Sequence, residues 1–258
     1  MNGIDDEVAD GGVADTATSA LERGQENWAK PVANLNVGAM PEQAINLNVD
    51  GRRLTGPLKG FGQLWQKTYR IQLTGSEITP KALIAEWKAH FPEFWPGNNR
   101  FFGSLTAIKP GDVAVLNLAG PGGSTISTGI LVIYADDESF SFMTPQGHIF
   151  AGMNTFSSYV KDGVTVAQIQ ALVRASDPVY EVGCRLGLAH RQEDDFWHGT
   201  LANLSAHGGS PNRSVDQVTE CVDPRIQWSE AGNIWHNAAI RTALHMPKRA
   251  FQGMWAKR

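Results

Sequence analysis

The 258-residue sequence predicts an α+β fold: a curved, seven-stranded antiparallel sheet wrapped around a long C-terminal helix, with an extension at each end. Three observations predict it. From Phe101 to Ala175 the apolar residues recur with a period of two, and the runs are separated by short Pro-, Gly- and Asp-containing breaks. Such breaks make hairpin turns, so neighbouring strands are antiparallel. A helical run then extends from Asp177 to about His207. One strand and one helical segment precede the alternating region, and a sheet with an apolar concave face needs a cover, which the long helix supplies.

The elements follow in order. Residues 1–50 are rich in Gly, Ala, Asp, Asn and Gln without a sustained period, and only 19–28 hints at a helical turn. This segment reads as a disordered acidic tail, because it has too little apolar surface to offset its ordering entropy. A Gly-punctuated lead-in (51–62) opens the central region, 51–209. The first strand is WQKTYRIQL (65–73), with Tyr69, Ile71 and Leu73 on one face. A helix follows, capped by Thr79, started by Pro80 and stopped by Pro92, with Leu83, Ile84, Trp87 and Phe91 on one side. The connector 91–99 is broken and aromatic. Strands are expected over about 101–108, 112–119, 126–134, 138–144, 147–158 and 163–174. The long helix opens at Asp177 and Pro178, carries Val182, Leu186, Ala189, Phe196, Leu201 and Leu204 as its apolar stripe, and ends at Gly208 and Gly209. Residues 210–258 read as a helical extension, with a helix from Ser229 to about His245 closed by Met246 and Pro247. Trp228, Trp235 and Trp255 are expected to pack against something, because leaving them in water is costly.

Charge and composition exclude several functions. The net charge of −4 divides into −7 over 1–50, zero over 51–209 and +3 over 210–258. A neutral centre has no broad basic field, which argues against nucleic acid as the main partner. The basic end (Arg241, Lys248, Arg249, Lys257, Arg258) reads as a solvated tail. No apolar run is long enough for a transmembrane helix, and the acidic start is no signal peptide. Cys184 and Cys221 are too few for a disulfide framework or a thiolate zinc site, so a soluble cytoplasmic protein is expected.

Motifs for catalysis are sparse. AGPGGST (119–125) has the glycines of a phosphate loop but no Lys, and lies between two strands as a turn. Ser158 and Lys161 have SxxK spacing at a hairpin end, where chance explains it. The seven histidines show no ligand spacing supported by carboxylates. His190, Glu193 and Asp194 read as a solvated helical face rather than a metal site. Neither a metal nor a cofactor is expected, and Glu86 and Glu93, flanking Trp87 and Trp95, are not paired as a general acid and base.

The best candidate surface comes from turn geometry. In TPQGH, Pro145 suits the first position and Gly147 the left-handed third position of a three-residue hairpin loop. Phe142 then opposes Phe150, Phe140 opposes Gly152, and Thr144 opposes His148. One face collects Phe140, Phe142, His148, Phe150, Gly152, Asn154 and Phe156. Aromatic walls with a few polar groups describe a ligand cavity and equally a packed core. The next hairpin leaves a fork. A two-residue turn at Asp162–Gly163 puts Asn154 beside Ala171, with Ile169 and Val173 on the same face. A bulged loop from Lys161 puts Gln168, Gln170 and Leu172 there instead. The lower polarity of the first set favours it. Asn154 needs a partner wherever it is buried. Tyr180 is placed to reach a cavity mouth or simply to pack, and Arg174 to pair with Asp177.

The strings GPLKGFGQLWQKTY (56–69), FMTPQGHIFAG (142–152) and DDFW (194–197), together with the element order across 63–208, resemble bacterial proteins of the START/Bet v 1-like (SRPBCC) superfamily. The resemblance implies a helix-grip fold and a lipid-, sterol- or polyketide-like ligand held between sheet and helix. It leaves the extensions unaddressed. Three functions follow as expectations. The first is binding of a hydrophobic or amphipathic small molecule, with Phe140, Phe142, His148, Phe150, Asn154, Phe156 and Tyr180 around it. The second is a cyclase-, aromatase- or hydrolase-type enzyme using the same cavity, with His148 and Asn154 as its polar groups. The third is an interaction module acting on a protein partner, or on a second copy, through 210–258.

Overall fold

The computed structural model describes residues 24–103 and 108–245. β1 (Leu64–Gln72) precedes α1 (Pro80–Ala89), whose first turn is held by Thr79 Oγ1 accepting from the Ala82 amide. A 3₁₀ turn (Phe91–Phe94) leads to β2 (Arg100–Phe102), β3 (Val113–Ala119), β4 (Thr125–Ala135), β5 (Ser139–Met143), β6 (Phe150–Lys161) and β7 (Val164–Ala175). The helical cover then comes in two pieces, α2 (Pro178–Arg185) and α3 (Leu188–His207), before β8 (Asp216–Asp223) and a 3₁₀ segment (Trp228–His236). The sheet runs β2-β3-β4-β5-β6-β7-β1-β8 with every neighbouring pair antiparallel. It is the expected α+β architecture with one more strand.

The eighth strand lies in the segment expected to be helical. β8 forms the edge beside β1, and Val218 and Val222 are exposed, so it has no apolar face to announce it. The strand expected over 101–108 shortens to β2, and 104–107 fall outside the described residues. At the other end, the 3₁₀ segment and a helix over 238–245 meet at Asn237 instead of forming one helix from Ser229. Met246, Pro247, Trp255 and the basic residues beyond 245 lie outside the described residues. Trp228 and Trp235 are exposed, against expectation; Trp228 touches Phe61 edge-on.

The long helix breaks at Gly187, whose φ of 72° is left-handed and ends α2. The break rotates the expected apolar stripe out of register. Val182 and Leu186 face water, whereas Trp197, Leu201 and Leu204 are buried. Asp177 caps α2, accepting from the Val179 and Tyr180 amides. It does not pair with Arg174, which instead reaches Asp223 of β8 (2.5 Å) and the carbonyls of Gly62 and Arg225.

Residues 24–50, expected as part of a disordered tail, pack on the sheet face away from the helices. Leu35 and Val49 are buried there against Val115 and Leu131, and the Ala29 amide donates to Ile133 O (2.9 Å). Asn48 joins this layer to the C-terminal extension: it donates to Ser127 O and Thr242 Oγ1, and accepts from Arg241 Nε.

The Asp162–Gly163 turn has φ of 51° and 77°, the two-residue form, so Asn154 opposes Ala171 as in the first branch of the fork. The preceding hairpin differs. Phe142 opposes Asn154 and Phe140 opposes Phe156, a shift of four residues that preserves which side chains share a face. The loop is longer because 53–55 pair with 144–146, through Thr55 N to Thr144 O and Gln146 N to Arg53 O (2.8 Å each).

The two halves of the expected stripe are tested by one comparison. Leu204→Ala, in the core, is expected to lower unfolding free energy by about 2–5 kcal/mol, and Leu186→Ala by less than about 0.5 kcal/mol. Denaturant titration reads both; equal effects would restore a continuous stripe.

Candidate functional site

A cavity of about 470 Å³ lies between the concave face of the sheet and the N-terminal half of α3. It occupies the gap between two packed clusters. One gathers α1, the connector and the C-terminal half of α3, and contributes Trp95, Leu116, Ile130, Phe142 and Trp197 to the walls. The other lies under α2 and contributes Phe150 and Val173. The rim is tied down by Gln192 Nε2 donating to Ala119 O, and by Asn99 Oδ1 accepting from the Ala119 amide.

Of the side chains expected around a ligand, Phe142, His148, Phe150 and Asn154 line this cavity together. Phe140 and Phe156 do not. They stack on each other at 4.7 Å and are covered edge-on by Trp87 and Phe91, because α1 lies over that end of the sheet. Tyr180 is also elsewhere: it is buried, and its hydroxyl accepts from the Ala239 amide (2.9 Å).

Asn154 projects from the centre of β6, and its Oδ1 is buried without a hydrogen-bond partner among the described residues. A buried acceptor left unpaired costs on the order of 1–3 kcal/mol, so a donor in the cavity would be favoured there. His148 sits at the rim with Nδ1 beside the Phe150 amide (3.1 Å) and carbonyl (3.0 Å), of which it engages one at a time. Burial pulls its pKa down to about 4, so the imidazole is neutral at pH 7.

Sequence reasoning missed the polar floor. Lys67 of β1 is 1% exposed and places its ammonium 2.9 Å from Glu193 and 2.7 Å from Asp194 on α3. The Tyr69 hydroxyl donates to the same Asp194 oxygen (2.7 Å). Glu193, Asp194 and His190 are therefore no solvated face, and Glu193 lines the cavity. Burial raises the Glu193 pKa and outweighs the attraction of Lys67. For Asp194 the hydrogen bonds from Lys67 and Tyr69 overcome burial and lower it. The cluster thus reads as a Lys67–Asp194 ion pair beside a Glu193 that retains its proton most readily. His190 is driven down to about 4 by burial and then by Lys67. One signal was available: Lys67 shares the parity of Tyr69, Ile71 and Leu73, a cation on the buried face of a strand. A second grouping was also missed: Glu86, His90 and His207 bring ligating atoms within 4.8 Å of one another.

The His148 shift has a defined sign. A histidine depressed from 6.5 to about 4 binds fewer protons folded than unfolded, so it costs stability as pH falls through that window. His148→Gln removes this cost. Relative to wild type, the variant is expected to gain about 2–3 kcal/mol between pH 7 and pH 4.5. Parallel denaturation curves at the two pH values check it; an unchanged difference would show an ordinary histidine.

No protein-family model matches the sequence, and no curated protein matches it. Solved structures do. The di-domain ARO/CYC StfQ from the steffimycin biosynthetic pathway aligns at 13% identity and TM-score 0.45, over 57% of this chain and 51% of that one. The KanY protein aligns at 13% and 0.43, over 58% and 99%. Major latex-like protein 151 from Panax ginseng aligns at 13% and 0.39, over 57% and 99%. At these identities and TM-scores the likeness assigns neither a family nor a function to this chain. The chain's own sheet order, with helices on the concave face, is the helix-grip arrangement expected from the sequence.

Proposed function

We propose that the chain binds a hydrophobic or amphipathic small molecule, lipid- or polyketide-like, in the cavity between the sheet and α3. The supporting observation is the cavity itself: about 470 Å³, walled by Phe142, Phe150, Val173 and Trp197, with Asn154, His148 and Glu193 among its polar lining groups. That volume and that mixture of apolar walls with sparse polar groups match small-molecule sites in general. The unpaired Asn154 oxygen favours a ligand carrying a hydroxyl or amide donor.

Gentle purification followed by native mass spectrometry, with displacement of bound anilinonaphthalene sulfonate by fatty acids and sterols, tests this reading. One displaceable probe per chain is expected. Ala189→Phe, which fills the cavity from α3, is expected to weaken the probe at least about tenfold, or 1.4 kcal/mol. Absence of both a co-purified and a displaceable ligand would overturn the proposal.

One observation favours a second reading, a cyclase-, aromatase- or hydrolase-type enzyme. Glu193 lines the cavity 2.9 Å from the Lys67 ammonium, and burial raises its pKa, the direction that suits a carboxyl to proton transfer with a bound carbonyl. Small molecules extracted from wild type and from Glu193→Gln, expressed in the same cells, are expected to differ in mass on this reading. Identical extracts would leave binding alone.

A further inference from the structure

At the far end of α3 from the cavity, two helix C-termini converge. α1 ends at Ala89 with His90 as its cap, and α3 ends at His207. Each end presents carbonyl groups and a partial negative charge, a setting that favours a cation. Glu86, one turn before His90 on α1, places Oε2 2.9 Å from His207 Nε2 and 3.6 Å from His90 Nε2. The imidazole rings lie 5.2 Å apart, and Phe94 packs edge-on against His207. Glu93 holds Nδ1 of His90 at 3.0 Å, which turns the opposite ring nitrogen toward Glu86. This is the arrangement in which a carboxylate orients a metal-binding histidine from behind. Among the described residues no Lys or Arg pairs with Glu86 or Glu93, so only imidazoles face these carboxylates. Burial of a core explains none of these contacts, since all three side chains are partly exposed.

We propose that Glu86, His90 and His207 form a binding site for a borderline divalent cation of the Zn²⁺ type, with Glu93 as the orienting residue. Two imidazoles and one carboxylate suit Zn²⁺, Ni²⁺ or Cu²⁺ and not Mg²⁺ or Ca²⁺, which take oxygen ligands. Tetrahedral Zn²⁺ spaces its ligand atoms roughly 3.4 Å apart, within rotamer adjustment of the present spacing. Partial exposure leaves the fourth position to water. The ion would clasp α1 to α3 and so hold the helical cover at the end away from the cavity. The site is independent of the ligand proposed above.

The full chain, free of any affinity tag and treated with chelator, is titrated with Zn²⁺ by calorimetry and by competition with a chromophoric chelator. One equivalent is expected, with Mg²⁺ giving no heat. His90→Ala and His207→Ala are each expected to lose at least tenfold in affinity, Glu86→Gln similarly, and Glu93→Gln about tenfold. Zn²⁺ should raise the thermal midpoint of wild type but not of His207→Ala. As a readout that needs no substitution, Zn²⁺ should shift the imidazole resonances of His90 and His207 and leave those of His148 and His190 in place. A chain that takes up no Zn²⁺, a His90→Ala/His207→Ala double variant that binds as wild type, or shifts confined to other histidines would each overturn the proposal.

Discussion

The Lys67 ammonium is the buried charge around which the sheet and α3 meet. It projects from β1, a strand enclosed between β7 and β8, and meets Glu193 and Asp194 on the helix above. Removing a lysine and two carboxylates from water costs several kcal/mol per ion, and close pairing is what makes the arrangement tolerable. One cation against two acids leaves a surplus negative charge. The Tyr69 hydroxyl stabilises the charge on Asp194, which has lower burial, whereas Glu193 faces the apolar cavity. The two acids are accordingly pushed in opposite directions, Glu193 up by burial and Asp194 down by its hydrogen bonds. The ion pair thus adds a polar tie to the apolar packing of Trp197, Leu201 and Leu204, and leaves Glu193 as the acid whose pKa is raised beside the cavity.

The cavity follows from the two-piece cover. α1 and the C-terminal part of α3 fill one end of the concave face with Trp87, Phe91, Leu201 and Leu204, and α2 fills the other with Tyr180 and Cys184. Gly187 uncouples the two helices, so no single rigid rod has to satisfy both clusters. Between them the helix presents Ala189 and Glu193 where bulkier apolar side chains would have closed the gap. The interior loses dispersion contacts there, and Asn154 loses a partner. Both deficits are of a kind that a bound molecule corrects.

Much of the fold was legible because local chemistry specified it. Thr79 and Pro80 start α1, Asp162–Gly163 make a two-residue turn, and Asp177 caps α2. Period-two alternation placed Phe142, Phe150 and Asn154 on one face even though the hairpin register was off by four, since an even shift keeps the face. What escaped was set by distant partners. Phe140 and Phe156 have the same parity as Phe142 but lie under α1, and parity carries no information on which helix covers which end. β8 is exposed on both sides and is held by pairing with β1, so it has no apolar period. Lys67 was visible as a charge on a buried parity, yet its partners lie more than a hundred residues away. Glu86 and His90 stand one helical turn apart, but only the fold brings His207 to them.

The turn carrying His148 shows how far the extensions reach into the site. Its three-residue form would need only Pro145, Gln146 and Gly147. The longer form is stabilised from both sides: residues 53–55 pair along 144–146, and the Ala238 amide donates to Gly147 O (2.9 Å). Gly147 is required twice, for a φ of 92° and because the His236 backbone leaves no room for a side-chain carbon. Arg52 in turn meets the His236 ring at 2.7 Å, joining the lead-in to the C-terminal segment. These contacts draw the turn away from the hairpin register its own residues favour, and they set where His148 stands on the cavity rim. A change at Arg52 or His236 therefore acts on the rim through the backbone of 144–148, without touching any group that lines the cavity.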